Sequence, residues 1–247
     1  MKNKRVSSNI RNRSNLMKKA VVLFSGGIDS TTALYWARAE YDQVTALSFD
    51  YGQRHKIEIA FARKLTRRLP VPHTILQVDL RRIGGSALTS SSVALPRFAT
   101  TKEIGLGIPP TYVPFRNGVL LALGASWAEA NSVPEIICGF NTIDSPNYPD
   151  TRLRFVRAMQ KAVNLGTRMG ASGKAIRIIA PFIRMRKSEI IRKGLSLGAD
   201  YSCSISCYRG REIPCGKCSS CLLRQKAWEE TGEQDHLLKR LREEGKI

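Results

Sequence analysis

No apolar stretch in this sequence approaches the roughly 20 residues that a membrane-spanning helix requires. The longest runs, such as Ala20-Val21-Val22-Leu23-Phe24, end after a few positions. Residues 1–19 are basic and rich in Ser and Asn but lack an apolar segment, so they do not read as a secretory signal. The expectation is a cytoplasmic protein without a membrane span. Acidic residues are scarce as well, 20 Asp and Glu against 40 Lys and Arg, which leaves a formal net charge of +20. A surplus of that size favours polyanions, whether RNA or the phosphates of nucleotides. Aromatic residues make up only 7% and do not interleave with the basic ones as they do in nucleic-acid stacking platforms. Lys and Arg are also spread through every expected helix rather than gathered into a stripe. A solvated basic surface therefore accounts for most of the charge, and a nucleic-acid partner is a secondary expectation. The absence of an internal repeat or a low-complexity block sets aside a repeat array.

What is present suits an ordinary globular protein. The 247 residues, 43% hydrophobic and 24% charged, are enough for one α/β domain with a small appendage. Residues 1–16 carry five basic side chains and no acidic one, so 1–17 is expected to be a disordered arm. Met17-Lys18-Lys19, directly before the first strand, also looks like a natural start, and an upstream misassigned initiation site competes with a functional arm. From Ala20 onward, short apolar runs alternate with longer amphipathic stretches, the pattern of βαβ units and a parallel sheet. Strands are predicted over 20–24, 44–49, 74–79, 135–140 and 176–180, and helices over 30–40, 54–69, 117–131, 151–165, 187–197 and 222–231. The fold class is α/β, a parallel sheet with flanking helices over 18–200, followed by a small metal-binding region and a C-terminal helix over 201–247. The Gly/Ser-rich residues 84–92 and the Pro-containing residues 96–114 read as a long connection of the kind that forms binding loops.

The first strand runs into Ser25-Gly26-Gly27-Ile28-Asp29-Ser30-Thr31-Thr32, and a helical pattern follows at once through Ala33, Leu34 and Trp36. This is a strand-loop-helix anion site. Two glycines let the backbone approach an oxyanion, hydroxyls at 25, 30, 31 and 32 offer donors, and the helix N-terminus adds partial positive charge. The plainer alternative is a Gly-containing turn capped by Ser30, but the full string in that context points to phosphate. No Gly-Lys-Ser/Thr follows, so no lysine is aimed at a γ-phosphate, and attack at the α-phosphate with release of pyrophosphate fits better than kinase chemistry. Asp29 cannot attract phosphate itself; it is expected to orient loop amides or to meet a magnesium ion, which prefers carboxylate and phosphate oxygens.

Four of the six cysteines, Cys207, Cys215, Cys218 and Cys221, form C-x7-C-x2-C-x2-C in Gly/Ser/Pro-rich sequence, where four thiolates can converge on zinc. The C-x2-C-x2-C spacing also occurs in iron–sulfur sites. Cys203 is a fifth possible ligand, whereas Cys138, inside Ile136-Ile137-Cys138, suits a buried strand position. With all four positions filled by thiolates the metal is expected to be structural, with no open position for water.

The loop string resembles the PP-loop signature of the N-type ATP pyrophosphatases, a group that includes synthetases for GMP, NAD and argininosuccinate and tRNA thiolation enzymes. Several further segments widen the match. Phe49-Asp50-Tyr51-Gly52-Gln53-Arg54-His55, Tyr112-Val113-Pro114-Phe115-Arg116-Asn117, Asp144 through Tyr148-Pro149-Asp150-Thr151-Arg152, and Ser206-Cys207-Tyr208 with the later cysteines resemble, in order, the QueC family of queuosine and archaeosine biosynthesis over about residues 18–231. The resemblance implies a PP-loop α/β domain with a zinc region, commonly a homodimer, converting 7-carboxy-7-deazaguanine and ammonia to the 7-cyano product with ATP. By matching positions it implies an ATP site over Phe24, Ser25, Gly26, Gly27, Ile28, Asp29, Ser30, Thr31, Thr32, Ala33 and Leu34, with Zn2+ on the four cysteines and Mg2+ accompanying ATP. Asp29, Arg116 and Lys187 become candidates for catalysis, and Arg54, Asn117, Asp144, Tyr148, Asp150 and Arg152 for substrate contact. The general-base reading of His55 stays open against a merely solvated histidine. Two positions depart from the family pattern, Asn147 where Gly is usual and Thr151 where Cys is usual, which leaves open a relative that stops at the amide or modifies another molecule. A tRNA-modifying PP-loop enzyme and a non-catalytic zinc-stabilised RNA-binding module are the competing readings; the first usually carries an RNA-binding domain or a catalytic cysteine pair, and the second leaves the intact loop unexplained.

Overall fold

The computed structural model describes residues 17–105, 107–144 and 147–247. The expected arm, residues 1–17, lies outside them apart from Met17. Among the described residues a parallel five-stranded sheet forms from β1 (Lys19–Leu23), β2 (Gln43–Asp50), β3 (His73–Gln77), β4 (Glu135–Cys138) and β5 (Arg177–Ile179). Its order is β3-β2-β1-β4-β5, every pair parallel, with Val21 opposite Thr45 on one side and Ile136 on the other. Five short apolar runs separated by helices can pair in parallel only through crossovers, and those crossovers put helices on both faces.

The helices are α1 (Ile28–Glu40), α2 (Ile57–Arg68), α3 (Arg116–Ala130), α4 (Leu153–Gly166), the single turn α5 (Arg168–Ala171), α6 (Lys187–Ser196), α7 (Ser219–Thr231) and α8 (His236–Glu243). The pleat divides the core. Ala20 and Val22 point to the layer that holds Leu34 of α1, Leu65 of α2 and Ile190 of α6, while Val21 points to the layer that holds Leu121 of α3 and Val156 of α4. Cys207, Cys218 and Cys221 and the α8 residues Leu237 and Leu241 join the first of these clusters, so the 201–247 segment is sealed onto the sheet domain by a shared core.

The sequence-level elements are all present with shifted ends. The helix expected over 54–69 starts only at Ile57, because residues 54–56 form a turn, and that expected over 151–165 is preceded by a separate 3-10 turn, Pro149–Thr151, before α4 starts at Leu153. The one expected over 222–231 starts earlier, at Ser219, with Cys218 at its N-cap. α8 was not anticipated, although Leu237, Leu238 and Leu241 fall at helical spacing, because the segment is only eight residues long; Asp235 caps it by accepting Leu237 N–H at 2.9 Å.

Strand order reverses between β1 and β4, where one crossover leaves toward β2 and the other toward β5. A crevice opens at such a switch point beyond the carboxyl ends of the strands. The Ser25–Ser30 loop follows β1 there, and Gly139 follows β4.

Candidate active site and cysteine cluster

The loop after β1 is held by its neighbours. Gly26 has φ +81°, and a Cβ there would come within 2.9 Å of the Glu58 carbonyl oxygen in α2. The Gly26 carbonyl accepts Ile205 N–H at 3.2 Å. Gly27 is the N-cap of α1, so the free N–H groups of that helix open into the crevice. Ser30 does not cap the helix: its hydroxyl donates to the Gly27 carbonyl at 3.1 Å and lies 3.1 Å from Ser25 Oγ. The hydroxyls expected at 31 and 32 are not available as phosphate donors. Helical periodicity turns both inward, where Thr31 and Thr32 are fully buried and Thr32 Oγ1 meets the Ile28 carbonyl at 3.2 Å and Tyr201 Oη at 2.6 Å. Ala33 and Leu34 likewise belong to the core beneath. Gly139 brings β4 against the same helix start, since a Cβ there would lie 2.7 Å from the Asp29 carbonyl carbon.

One cavity of about 320 Å³, within the range of small-molecule sites, fills the crevice. Phe24, Ser25, Gly27, Ile28, Asp29 and Ser30 line it on the β1 side. Arg116, Asn117, Tyr148, Thr151 and Lys187 line the same space, so candidates from four separate segments, 24–30, 116–117, 148–151 and 187, meet in one cavity. Lys187, the first residue of α6, reaches across to Asp29, its Nζ 2.7 and 2.8 Å from the two carboxylate oxygens. Arg116 donates to Tyr51 Oη at 3.3 Å and opens α3 behind Phe115, a non-glycine residue at φ +51° whose ring stands edge-on to Phe155.

The remaining candidates stand behind this wall. Asp150 is buried and accepts Asn117 N–H at 3.0 Å. Asp144 accepts Lys187 N–H and takes Asn141 Nδ2 at 3.1 Å. Arg54 donates to the Ala87 and Val93 carbonyls at 3.4 Å each. Arg152 is the N-cap residue of α4 and is not among the residues that line the cavity. Of the two departing positions, Thr151 lines the cavity while its hydroxyl donates to the Tyr148 carbonyl at 2.9 Å, and Asn147 reaches the Gly105 carbonyl at 3.0 Å.

The cavity has walls that were not among the candidate site residues: Tyr51 and Tyr208, quoted above only within their motifs, and Glu58 and Arg224. His55, left open, is buried rather than solvated, 7% exposed, with Nε2 3.4 Å from Glu58 Oε2. Burial pushes the Glu58 carboxyl above the usual carboxylate range, against the pull of His55 and of the Gln53 amide, which donates to Oε1 at 3.1 Å. The signal for this pair was the three-residue spacing from His55 to Glu58 at a helix start.

The sulfur atoms of Cys207, Cys215, Cys218 and Cys221 all lie within 4.8 Å of one another. Tetrahedral zinc with Zn–S near 2.3 Å sets its sulfurs about 3.8 Å apart, so the cluster fits zinc after a small contraction. Cys218 and Cys221 share one face of the α7 start, and Cys215 N–H donates to Cys207 Sγ at 3.3 Å. Cys203 is buried outside this group, and Cys138 is a strand thiol that burial pushes up to about 12. The cysteine segment also builds the site. Gly210, at φ +67°, packs so closely on the turn before α2 that a Cβ would lie 2.6 Å from the Arg54 carbonyl oxygen, and the Tyr208 ring stands 6.1 Å from His55.

The family model described as "Queuosine biosynthesis protein QueC" matches residues 19–232. A 7-cyano-7-deazaguanine synthase of Saccharophagus degradans is 44% identical over 221 residues, 88% of this chain and 96% of its own. One of Trichodesmium erythraeum is 46% identical over 221 residues, 89% of this chain and all of its own. A solved 4-thiouridine synthetase–RNA complex with bound ATP is 19% identical at a TM-score of 0.49, covering 87% of this chain and 50% of that one.

Proposed function

The chain belongs to the QueC family of queuosine biosynthesis proteins, and from that premise we propose that it is an ATP-dependent carbon–nitrogen ligase converting 7-carboxy-7-deazaguanine and ammonia to 7-cyano-7-deazaguanine. One observation carries the reading: the glycine loop at the start of α1 and the candidates from 116–117, 148–151 and 187 face a single cavity.

In that cavity the free N–H groups of α1 and the Ser25 hydroxyl bind the phosphates of ATP. The substrate carboxylate attacks the α-phosphorus and pyrophosphate departs. A carboxylate is a poor electrophile, and the adenylate gives ammonia a leaving group to displace. A second adenylation, on the amide oxygen, lets AMP depart again and leaves the nitrile. Arg116 and Lys187 offset the negative charge that gathers on the phosphates in both rounds, and the site works by positioning and charge rather than through a covalent enzyme nucleophile. Asp29 holds Lys187 in place and is the loop carboxylate that would help hold a magnesium ion bound with ATP, whose charge would offset that of the phosphates. Asn117 and Tyr148 contact the deazaguanine, and Asp144, Asp150, Arg152 and Arg54 support the wall around it.

Cys207, Cys215, Cys218 and Cys221 would hold zinc, which would supply a structural crosslink. Residues 201–247 then act as a metal-held buttress for the 18–200 ATP domain, through Ile205 against Gly26 and Gly210 against the 54–55 turn. We assign the protein to the cytoplasm and to a homodimer on the same family grounds.

The test is incubation of purified protein with ATP, ammonium and 7-carboxy-7-deazaguanine, followed by mass spectrometry for AMP, pyrophosphate and the nitrile. Pyrophosphate release that requires added tRNA overturns the assignment in favour of a tRNA-modifying enzyme. Thr151, a cavity residue where the family usually has Cys, supports a second reading, in which the amide accumulates and no nitrile forms.

A further inference from the structure

Ammonia enters with three N–H bonds and a nitrile nitrogen keeps none, so the site needs a proton acceptor at the reacting nitrogen. Most carboxylates near the cavity are engaged. Asp29 holds Lys187, Asp144 holds Lys187 N–H and Asn141, and Asp150 holds Asn117 N–H from behind the wall, with its other oxygen unpartnered but outside the lining. His55 differs. It lines the cavity, it is buried, and its Nδ1 has no hydrogen-bond partner. Its other nitrogen faces Glu58 Oε2 at 3.4 Å, which favours the tautomer with the hydrogen on Nε2 and leaves a lone pair on Nδ1. A buried imidazole in the lining of a ligand cavity, with one nitrogen facing a carboxyl and the other enclosed and unpartnered, becomes a proton acceptor when a bound ligand brings a donor to the unpartnered nitrogen.

We propose that His55 is the proton acceptor for the ammonia-derived nitrogen, and that Glu58 is the positioning residue that fixes its tautomer. The proposal rests on the deazaguanine reading above. In the first round the nitrogen lone pair forms the C–N bond, the acyl C–O bond breaks with its electron pair leaving on AMP, and one N–H proton passes to Nδ1. In the second, the amide oxygen attacks the α-phosphorus, pyrophosphate leaves with the P–O electron pair, and a second N–H proton is lost. Loss of the third, as the remaining C–O bond breaks toward AMP, closes the C≡N bond. Each proton leaves the imidazole for solvent before the next is taken. Tyr51, Gln53, Arg116 and Tyr208 surround the pair; none of them is an imidazole or a carboxylate that could take its place.

The experiment separates adenylation from nitrogen chemistry in the full-length, zinc-loaded protein. Single-turnover pyrophosphate release from ATP and 7-carboxy-7-deazaguanine without ammonium is compared with nitrile formation when ammonium is present. His55→Ala and His55→Gln are expected to keep pyrophosphate release within about threefold of wild type and to lose about 100-fold or more of nitrile formation, with imidazole restoring part of the loss in His55→Ala. Glu58→Gln is expected to lose about tenfold and Glu58→Asp less. Nitrile formation within about fivefold of wild type in His55→Ala, or pyrophosphate release falling in parallel with it, overturns the proposal. A wild-type protein that makes neither amide nor nitrile overturns the deazaguanine reading instead.

Discussion

Individual side chains decide whether the loop after β1 can receive phosphate. Asp29 is three-quarters buried beside Lys187, and the pair is worth more to charge stabilisation than to stability. Lys187→Met is expected to lower substrate-dependent pyrophosphate release by about 100-fold, measured by a coupled phosphate assay, because it removes a cation and leaves Asp29 unopposed. Gly139→Ala tests the backbone contact: its Cβ has no room against Asp29 and Ser30, so the start of α1 must shift. A stability loss of about 1–3 kcal/mol in urea titration is expected, with a weakened ATP affinity. The cysteines make a sharper contrast. Cys207→Ser is expected to lose stoichiometric zinc by metal analysis, whereas Cys203→Ser, outside the cluster, is expected to retain one zinc per chain.

At the scale of elements, the join between α7 and α8 rests on a buried ion pair. Arg224 bonds Asp235 through Nε and Nη2, at 2.5 and 2.7 Å, and donates to the Ser204 carbonyl at 2.9 Å. Removing one partner leaves the other charge buried, so Asp235→Ala, which also strips the α8 cap, is expected to cost about 3–5 kcal/mol in denaturant unfolding. The β3 edge has a pH-sensitive contact. His73 is packed between Ser48 Oγ at 2.7 Å and Thr66 Oγ1 at 3.2 Å, and burial lowers its pKa from 6.5 to about 4, helped by Arg63. A lowered folded-state pKa means that the unfolded chain binds the extra proton first. The contribution of His73 is therefore complete above about 6.5 and is lost as pH falls toward about 4. His73→Gln is expected to flatten that part of the stability–pH curve, a change on the order of 1–2 kcal/mol after solvent screening, read by thermal unfolding across the window.

At the scale of the molecule, the C-terminal segment and the sheet domain share one buried cluster, so removal of the proposed zinc is expected to reach the proposed ATP site. Chelation is expected to raise hydrogen exchange across 201–222 and to spread to the Gly26 loop and the turn before α2, lowering ATP affinity without unfolding the sheet. The net charge of +20 acts at this scale too. If it serves only solubility and attraction of anionic substrates, added tRNA is expected to inhibit the reaction in a salt-sensitive way and never to stimulate it.

The linear chain by itself carried the strand–loop–helix motif, the parallel α/β class and the four-cysteine cluster, because each is a local pattern: a short apolar run, two glycines before a helical period, thiols a few residues apart. Helix ends at 54–56 and 149–152 were illegible, since turn geometry rather than periodicity fixes them. Only the tertiary structure decided that Thr31 and Thr32 face the core, which depends on the rotation of α1 against α6 and Tyr201. Only it joined Lys187 to Asp29 across 158 positions and brought Glu58, His55 and Tyr208 to one wall. Those meetings follow from strand order, which reverses between β1 and β4, and strand order is a property of how the apolar faces pack together rather than of any segment read alone.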